Sequence, residues 1–314
     1  MITVSVPTPE VADAIGEVPA DVRVVVWNPA ESDPPTAERD HITMACLAHR
    51  TGGRTLYGRL GTLPALAAIQ IPSAGYEHAV PFVPAGVALC NARGVHDTRT
   101  AEMALLLTLA SQRALPRFFD AQQRGVWDAY ETAPSLADAR VLIVGYGSIG
   151  AAIGARMRAC EAHVEGVARS ARTAPDGVVV HAVEDLPALL PRFDIVVVVT
   201  PHDDSTDKLV DARFLAAMPN DALLVNVGRG AVVDTDALLA EVTSGRLRAA
   251  LDVVDPEPLP EGHPLYTAPG VILTPHVAGF AQLTDPRYVA LVHAQIDALR
   301  SGAGPVNVVA VGRA

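Results

Sequence analysis

The sequence predicts an α/β fold made of two doubly wound parallel-sheet domains, one inserted into the other. Three observations carry this expectation. From about residue 140 onward, short β-branched runs alternate with helical patterns: "RVLIVG", "HVEGVA", "DIVVVVT", "ALLVNV", "RAALDVV" and "VILTP". Apolar residues fill these runs without period-2 alternation, the pattern of parallel strands covered by helices on both faces. The first part of the chain repeats the theme more weakly in "ITVSV", "VRVVVW", "HITMACLA", "LAAIQIP" and "VALCN". Finally, 314 residues, half of them hydrophobic and only 4 % aromatic, suit two aliphatic cores of ordinary domain size.

Between the two series of strands, "TRTAEMALLLTLASQRAL" reads as one long helix. It is more apolar than a single exposed face tolerates, so burial between domains or subunits is expected, and with it a homodimer. "GSIGAAIGARMRAC" and "DTDALLAEVTSG" read as helices, the second opened by Asp234 and closed by Gly245. The final helical stretch, "AQLTDPRYVALVHAQIDALRSG", carries enough apolar residues to return to the first domain. The expected organisation is residues 1–94, an inserted second domain at 95–279, and a returning helix at 280–314.

Composition removes several function classes. A net charge of −11 argues against nucleic acid or an anionic membrane as partner. Lys208 is the only lysine and sits in the polar stretch "DDSTDKL", where nothing desolvates it for Schiff-base chemistry. Cys46, Cys90 and Cys160 are far apart and lack metal-type spacing, so neither a disulfide framework nor a metal site is expected. "MITVSVPTPE" does not read as a signal peptide, and "MALLLTLA" and "IVVVV" are too short to span a bilayer. A soluble, reduced, cytoplasmic protein is the expectation.

Gly145-Tyr-Gly147-Ser148-Ile149-Gly150 matches G-x-G-x-x-G, follows a strand and opens a helix. In that context Gly145 permits the tight turn, Gly147 lets a pyrophosphate approach the backbone, and Gly150 lets helix and sheet pack closely. The helix N-terminus adds free N–H groups and the positive end of its dipole. This is the fingerprint of a Rossmann-like dinucleotide domain. An acidic residue usually ends the next strand, where it accepts hydrogen bonds from the adenosine ribose. Here "VEGVARSART" places Ala168 there, followed by Arg169, Ser170 and Arg172. Losing the acid removes a repulsion toward a 2′-phosphate, and two guanidinium groups with a hydroxyl supply donors for one. The alternative is a pair of solvated arginines, but their position at this corner points to NADP(H) over NAD(H).

Ligands of an open parallel sheet sit beyond the carboxyl ends of its strands. Thr200 and Pro201 follow one strand, Gly228 and Arg229 the next; Asp252 lies in "LDVV", Glu257 in "DPEP", and Thr274, Pro275 and His276 follow the last. Thr206 and Val227 complete the candidate cofactor set. An arginine, a glutamate and a histidine therefore meet on one face beside the fingerprint.

"GYGSIG", "NVGRGAVVD", "LDVVDPEP" and "TPHVAG" resemble the successive signature blocks of the D-isomer-specific 2-hydroxyacid dehydrogenases. The likeness continues in "PSAGYEHAV" and "TRTAEMALLL", so it runs from about residue 70 onward. The resemblance implies that Arg229 binds a 2-oxo acid and that His276 is the general acid and base. It also implies that Glu257 pairs with His276 and favours its charged form, and that Asp252 orients the nicotinamide carboxamide. The backbone N–H groups of Ala74 and Gly75 are implied to hold the substrate carboxylate. The expected activity is NADPH-dependent reduction of a small 2-oxo acid of the glyoxylate, hydroxypyruvate or pyruvate type. Glutamate at 257 argues against the formate-oxidising relatives, which carry glutamine there, and a chain ending at 314 argues against a phosphoglycerate dehydrogenase with an effector domain. Two other readings stand beside this one: a dinucleotide-sensing corepressor-like protein, and oxidation of another small anion such as phosphite.

Overall fold

The computed structural model describes residues 1–49, 52–129 and 133–313. The chain divides into two compact units, Met1–His96 with Ala281–Ala314, and Asp97–Phe280.

The first unit begins with β1 (Ile2–Val6), α1 (Pro9–Ile15), β2 (Val22–Val26), β3 (Ile42–Cys46), α2 (Arg54–Leu60), β4 (Ala68–Gln70) and β5 (Ala88–Cys90). The chain then builds the second unit. Its elements are α3 (Asp97–Gln112), α4 (Leu115–Gln123), β6 (Arg140–Val144), α5 (Ser148–Ala159), β7 (His163–Ala168), β8 (Arg172–Thr173) and β9 (Val179–Ala182). They continue with α6 (Leu186–Leu189), β10 (Ile195–Val198), α7 (Ala212–Ala217), β11 (Leu223–Asn226), α8 (Thr235–Thr243), β12 (Arg248–Leu251) and β13 (Val271–Leu273). α9 (Pro286–Ser301) and β14 (Val308–Val311) complete the first unit.

The first sheet has the order β14-β5-β4-β3-β1-β2, parallel except for the edge strand β14. Its two faces bury different sets. Cys46, Ala68 and Cys90 pack with α1 and α9, whereas Ala45, Ile69 and Leu89 pack with α2. Burial pushes the Cys46 thiol up to about 12 and the Cys90 thiol to about 11, so both remain inert thiols within a packed layer. A polar tie fixes α9 to this sheet. Gln295 donates to Gln70 Oε1 at 2.8 Å and to the Val306 carbonyl at 2.8 Å, and accepts from the Val306 N–H at 2.9 Å. Both glutamines are fully buried, so each amide group depends on these partners.

The second sheet runs β13-β12-β11-β10-β6-β7-β9-β8 and is parallel apart from the short β8. The strand order reverses direction between β6 and β10, the switch point of a doubly wound sheet. Period-2 geometry explains why its strands are apolar throughout. Leu142, Val144, Val196 and Val198 face α6, α7 and α8, while Val141, Ile143, Ile195 and Val197 face α3 and α5.

Four expectations need adjustment. The long apolar helix is α3, which stops at Gln112; after Ala114, whose φ is +51°, a separate helix, α4, follows that the sequence did not suggest. Ala101, Ala104 and Leu107 of α3 are buried in the second unit's own core, which accounts for much of its apolar character. The last helix starts only at Pro286, where the Asp285 side chain accepts the Arg287 N–H at 2.9 Å. Finally, β8, β9 and β14 were absent from the sequence reading; each is short, and β8 and β14 pair antiparallel at sheet edges. No helix among the described residues is long and apolar enough to cross a membrane.

Candidate active site

The sheet register builds the site. Val144, Val198, Asn226, Leu251 and Leu273 stand side by side across β6, β10, β11, β12 and β13. The glycine-rich turn, Thr200, Arg229, Asp252 and His276 each follow one of these residues, and the basic segment after β7 lies beside them.

At the first position, Gly145 has φ +105°, and a Cβ on it would lie 2.8–2.9 Å from the backbone of Val199 and Thr200. A Cβ on Gly150 would meet the Gly145 carbonyl oxygen. Gly147 differs from both, because a Cβ there meets nothing within 4 Å. Internal packing therefore does not account for glycine at 147, and the open space beside it would admit a bound group. Gly147 caps α5, whose first-turn N–H groups at Ser148, Ile149 and Gly150 have no intrahelical acceptor. Beside them, the Thr200 hydroxyl is buried without a protein partner, which is the condition of a group awaiting a ligand. These features fit a dinucleotide. Thr206 donates its hydroxyl to the Pro201 carbonyl at 2.8 Å and accepts the Asp203 N–H at 2.8 Å, so it shapes the loop that carries Pro201. Val227 is buried, its N–H donating to the Val198 carbonyl at 3.1 Å.

The strand β7 ends at Ala168, and Arg169, Ser170 and Arg172 are exposed just beyond it. Arg172 is an ordered member of β8. Its Nη2 donates to the Tyr146 carbonyl at 2.6 Å and its Nη1 to the Ser170 carbonyl at 3.3 Å.

At the end of β11, Asn226 is fully buried and braces the turn that presents Arg229. Its Oδ1 accepts the Gly228 N–H at 3.0 Å and its Nδ2 donates to the Arg229 carbonyl at 3.0 Å. Arg229 Nη1 donates back to the Gly228 carbonyl at 2.8 Å. A Cβ on Gly230 would collide with the Val254 carbonyl, so this turn seats directly on the segment leading to Glu257.

Asp252 is 2 % exposed, and its carboxylate accepts three hydrogen bonds. The donors are Thr274 Oγ1 at 2.6 Å and the N–H groups of Val277 at 3.0 Å and Ala278 at 2.9 Å. All three come from the loop that carries His276, which gives Asp252 a positioning task that the sequence did not reveal. His276 has φ +54°, a conformation uncommon for any residue with a side chain, and its N–H donates to the Asp252 carbonyl at 2.8 Å. Its Nδ1 lies 2.5 Å from Glu257 Oε1, the two side chains being 45 % and 39 % exposed. An ionised carboxylate only accepts, so Nδ1 carries the proton in this pair and Nε2 is the atom left for proton exchange.

Ala74 and Gly75 belong to the first unit, just after β4. Asn91 donates to the Ala74 carbonyl at 2.6 Å and the Ser73 hydroxyl to the Gly75 carbonyl at 2.6 Å. The two N–H groups have no protein partner among the described residues.

The sequence reading missed Asn226, although an Asn at a strand end before glycine is a turn signal that could have found it. It also missed Tyr146, which no local signal marks, and the β8–β9 hairpin, although "APDG" just before "VVVHA" is a turn signal that could have found it.

Comparison with known proteins agrees with this geometry. The profile of the D-isomer specific 2-hydroxyacid dehydrogenase NAD binding domain matches residues 105–278. A glyoxylate reductase of Thermofilum pendens is 31 % identical over 77 % of this chain and 74 % of its own. A D-isomer specific 2-hydroxyacid dehydrogenase from Xanthobacter autotrophicus, solved with NADPH and MES, superposes with a TM-score of 0.83 at 28 % identity, covering 98 % of each chain. An NADPH-dependent glyoxylate/hydroxypyruvate reductase from Sinorhizobium meliloti, solved with NADP and sulfate, gives 0.80 at 26 % identity, covering 98 % of this chain and 97 % of its own. The chain belongs to the D-isomer specific 2-hydroxyacid dehydrogenase family and is an NAD(P)-dependent oxidoreductase.

Proposed function

We propose that this enzyme is an NADPH-preferring reductase of a small 2-oxo acid such as glyoxylate, hydroxypyruvate or pyruvate, forming the D-2-hydroxy acid. The observation that carries the reading is the His276–Glu257 pair standing beyond β13 on the carboxyl edge that also holds Arg229 and the glycine-rich turn. The relatives named as NADPH-dependent glyoxylate/hydroxypyruvate reductases support the substrate class.

The glycine-rich turn, Thr200, Pro201, Thr206, Val227 and Asp252 would hold the cofactor, which supplies the hydride when bound. Arg229 binds the oxo acid through its carboxylate and carbonyl oxygens, a task suited to a planar guanidinium fork. As C2 accepts the hydride, the C=O π bond breaks and negative charge builds on oxygen. His276 Nε2–H donates its proton to that oxygen, while Glu257 holds the ring through Nδ1. The half-exposed imidazole then recovers a proton from solvent. In the reverse direction the same nitrogen accepts the hydroxyl proton. In the first unit, the N–H groups of Ala74 and Gly75 form a small donor pair suited to a carboxylate.

At the cofactor's other end, Ala168 leaves no carboxylate to repel a 2′-phosphate, and Arg169, Ser170 and Arg172 supply donors for it. The NADPH- and NADP-bound structures of similar chains favour the same choice.

A spectrophotometric panel of 2-oxo acids with NADPH and NADH tests the activity directly. Reduction of at least one small 2-oxo acid, faster at low cofactor with NADPH, is expected; tight cofactor binding without turnover of any acid would favour a dinucleotide-sensing role instead.

His276→Gln should lower kcat by ~100-fold or more, the usual scale of general acid–base assistance, with cofactor affinity little changed. Wild-type turnover in that variant would remove His276 from the chemistry.

Arg229→Lys should behave as a severe change although it keeps the charge, with kcat/KM reduced by about 100-fold, because a point ammonium cannot reproduce a bidentate grip. Steady-state kinetics of the variant on the best acid of the panel provide the check.

Ala168→Asp combined with Arg169→Ala should reverse cofactor preference toward NADH, with NADPH efficiency falling at least about tenfold as a charge-assisted hydrogen bond is lost. Added salt should weaken NADPH binding to the wild type more than NADH binding, since only the former uses these ion pairs. Unchanged preference in the double variant would make the arginines ordinary surface charges.

A further inference from the structure

Tyr146, the residue between Gly145 and Gly147, is only 2 % exposed. Its ring fills space that two glycines leave open. A Cβ on Gly154 of α5 would stand 2.6 Å from the Tyr146 hydroxyl oxygen, and one on Gly166 of β7 would stand 2.6 Å from the ring. A glycine-rich turn needs no aromatic ring for its own geometry, so this wedge between helix and strand calls for a separate explanation.

The polar end of the wedge reaches the β8–β9 hairpin. The Tyr146 hydroxyl donates to Asp176 Oδ2 at 2.8 Å, and the same oxygen accepts from Arg158 Nη2 at 2.9 Å. Arg158 Nη1 also donates to the Asp176 carbonyl at 3.1 Å. Asp176 lies in the turn of the hairpin, where its Oδ1 accepts the Val178 N–H at 3.4 Å. Burial, and then the Asp176 carboxylate beside it, push the Tyr146 phenol well above its ordinary range, so it stays protonated as a donor.

The backbone of the same residue holds the hairpin's other end. Its N–H donates to the Val167 carbonyl at 2.9 Å, and its carbonyl accepts from Arg172 Nη2 at 2.6 Å. Tyr146 therefore grips the hairpin twice: at the turn through its side chain, and at Arg172 through its main chain. Arg172 uses one N–H on the Tyr146 carbonyl and one on the Ser170 carbonyl. Of the five donors of a guanidinium, three are left.

We propose that Tyr146 and Asp176 are positioning residues for cofactor choice, fixing the β8–β9 hairpin against the glycine-rich turn so that Arg172 stands preorganised for the 2′-phosphate. An exposed arginine ordinarily loses side-chain freedom when it binds an anion; one already held by two carbonyls loses less. This inference rests on the NADPH preference proposed above and names residues that set it without touching the phosphate.

Calorimetric titration of NADPH and NADH into the wild type, Tyr146→Phe, Asp176→Ala and the double variant tests it without reference to any substrate. Tyr146→Phe keeps the ring between the glycines and changes no charge. It should raise the Kd for NADPH about five- to tenfold, the scale of one ordinary hydrogen bond, and that for NADH less than about twofold. In the Asp176→Ala background the hydroxyl has lost its acceptor, so adding Tyr146→Phe should leave the NADPH/NADH ratio where Asp176→Ala set it. Equal weakening of both cofactors, an unchanged ratio in Tyr146→Phe, or independent additive effects would overturn the inference while leaving the NADPH preference intact. A wild type that binds NADH more tightly would overturn the preference itself, and this inference with it.

Discussion

The site depends on one constraint: five parallel strands end in register. Because Val144, Val198, Asn226, Leu251 and Leu273 share a row, the segments after them begin from one line, spaced by the ~4.8 Å that separates neighbouring strands. Apolar faces alone do not secure this, since both faces of these strands are apolar and a slipped strand would still be buried. Close contacts at the strand ends restrict the choice. A Cβ on Gly145 would crowd the Val199 and Thr200 backbone, and one on Gly228 would lie 2.8 Å from the Thr200 carbonyl oxygen. The three loops interlock around Thr200, and shifting one strand by a residue would bring a side chain into that junction.

On this row, buried polar groups hold the turns, and the groups proposed to react are half-exposed. Asn226 and Asp252 are buried and committed to the turns that carry Arg229 and His276. A buried carboxylate without donors is strongly unfavourable, so the three donors around Asp252 and the loop they come from are mutually dependent. Displacing the His276 loop would leave a charge unsolvated. That coupling is what maintains His276 in a left-handed backbone conformation that its side chain does not favour. Glu257 and His276, by contrast, remain open enough to exchange protons with water. Rigidity and the proposed reactivity thus reside in different residues joined by hydrogen bonds.

The opposite end of the row shows the same division. Arg169, Ser170 and Arg172 are exposed, but Arg172 is part of a hairpin whose turn is anchored through Asp176 to Tyr146 and Arg158. An apparently solvated basic loop is in this way a constrained one.

By itself the sequence determined the α/β class, most strands of both sheets, the glycine-rich turn and the reactive candidates at the strand ends. Each rests on a local signal: apolar runs of strand length, glycine at turn spacing, or polar residues directly after a strand. The residues that were not legible act across sequence distance. Tyr146 meets Asp176 at a separation of 30, Asp252 meets Ala278 at 26, and Gln70 meets Gln295 at 225. No periodicity encodes which distant donor will meet which buried acceptor; that follows only once the sheets have fixed where the loops and helices stand. The tertiary structure accordingly decided that Asp252 braces the histidine loop, that Asn226 braces the arginine turn, and that an aromatic ring inside the glycine-rich turn reaches the hairpin, because a buried polar group takes its partner from whatever the packed chain brings within hydrogen-bonding distance.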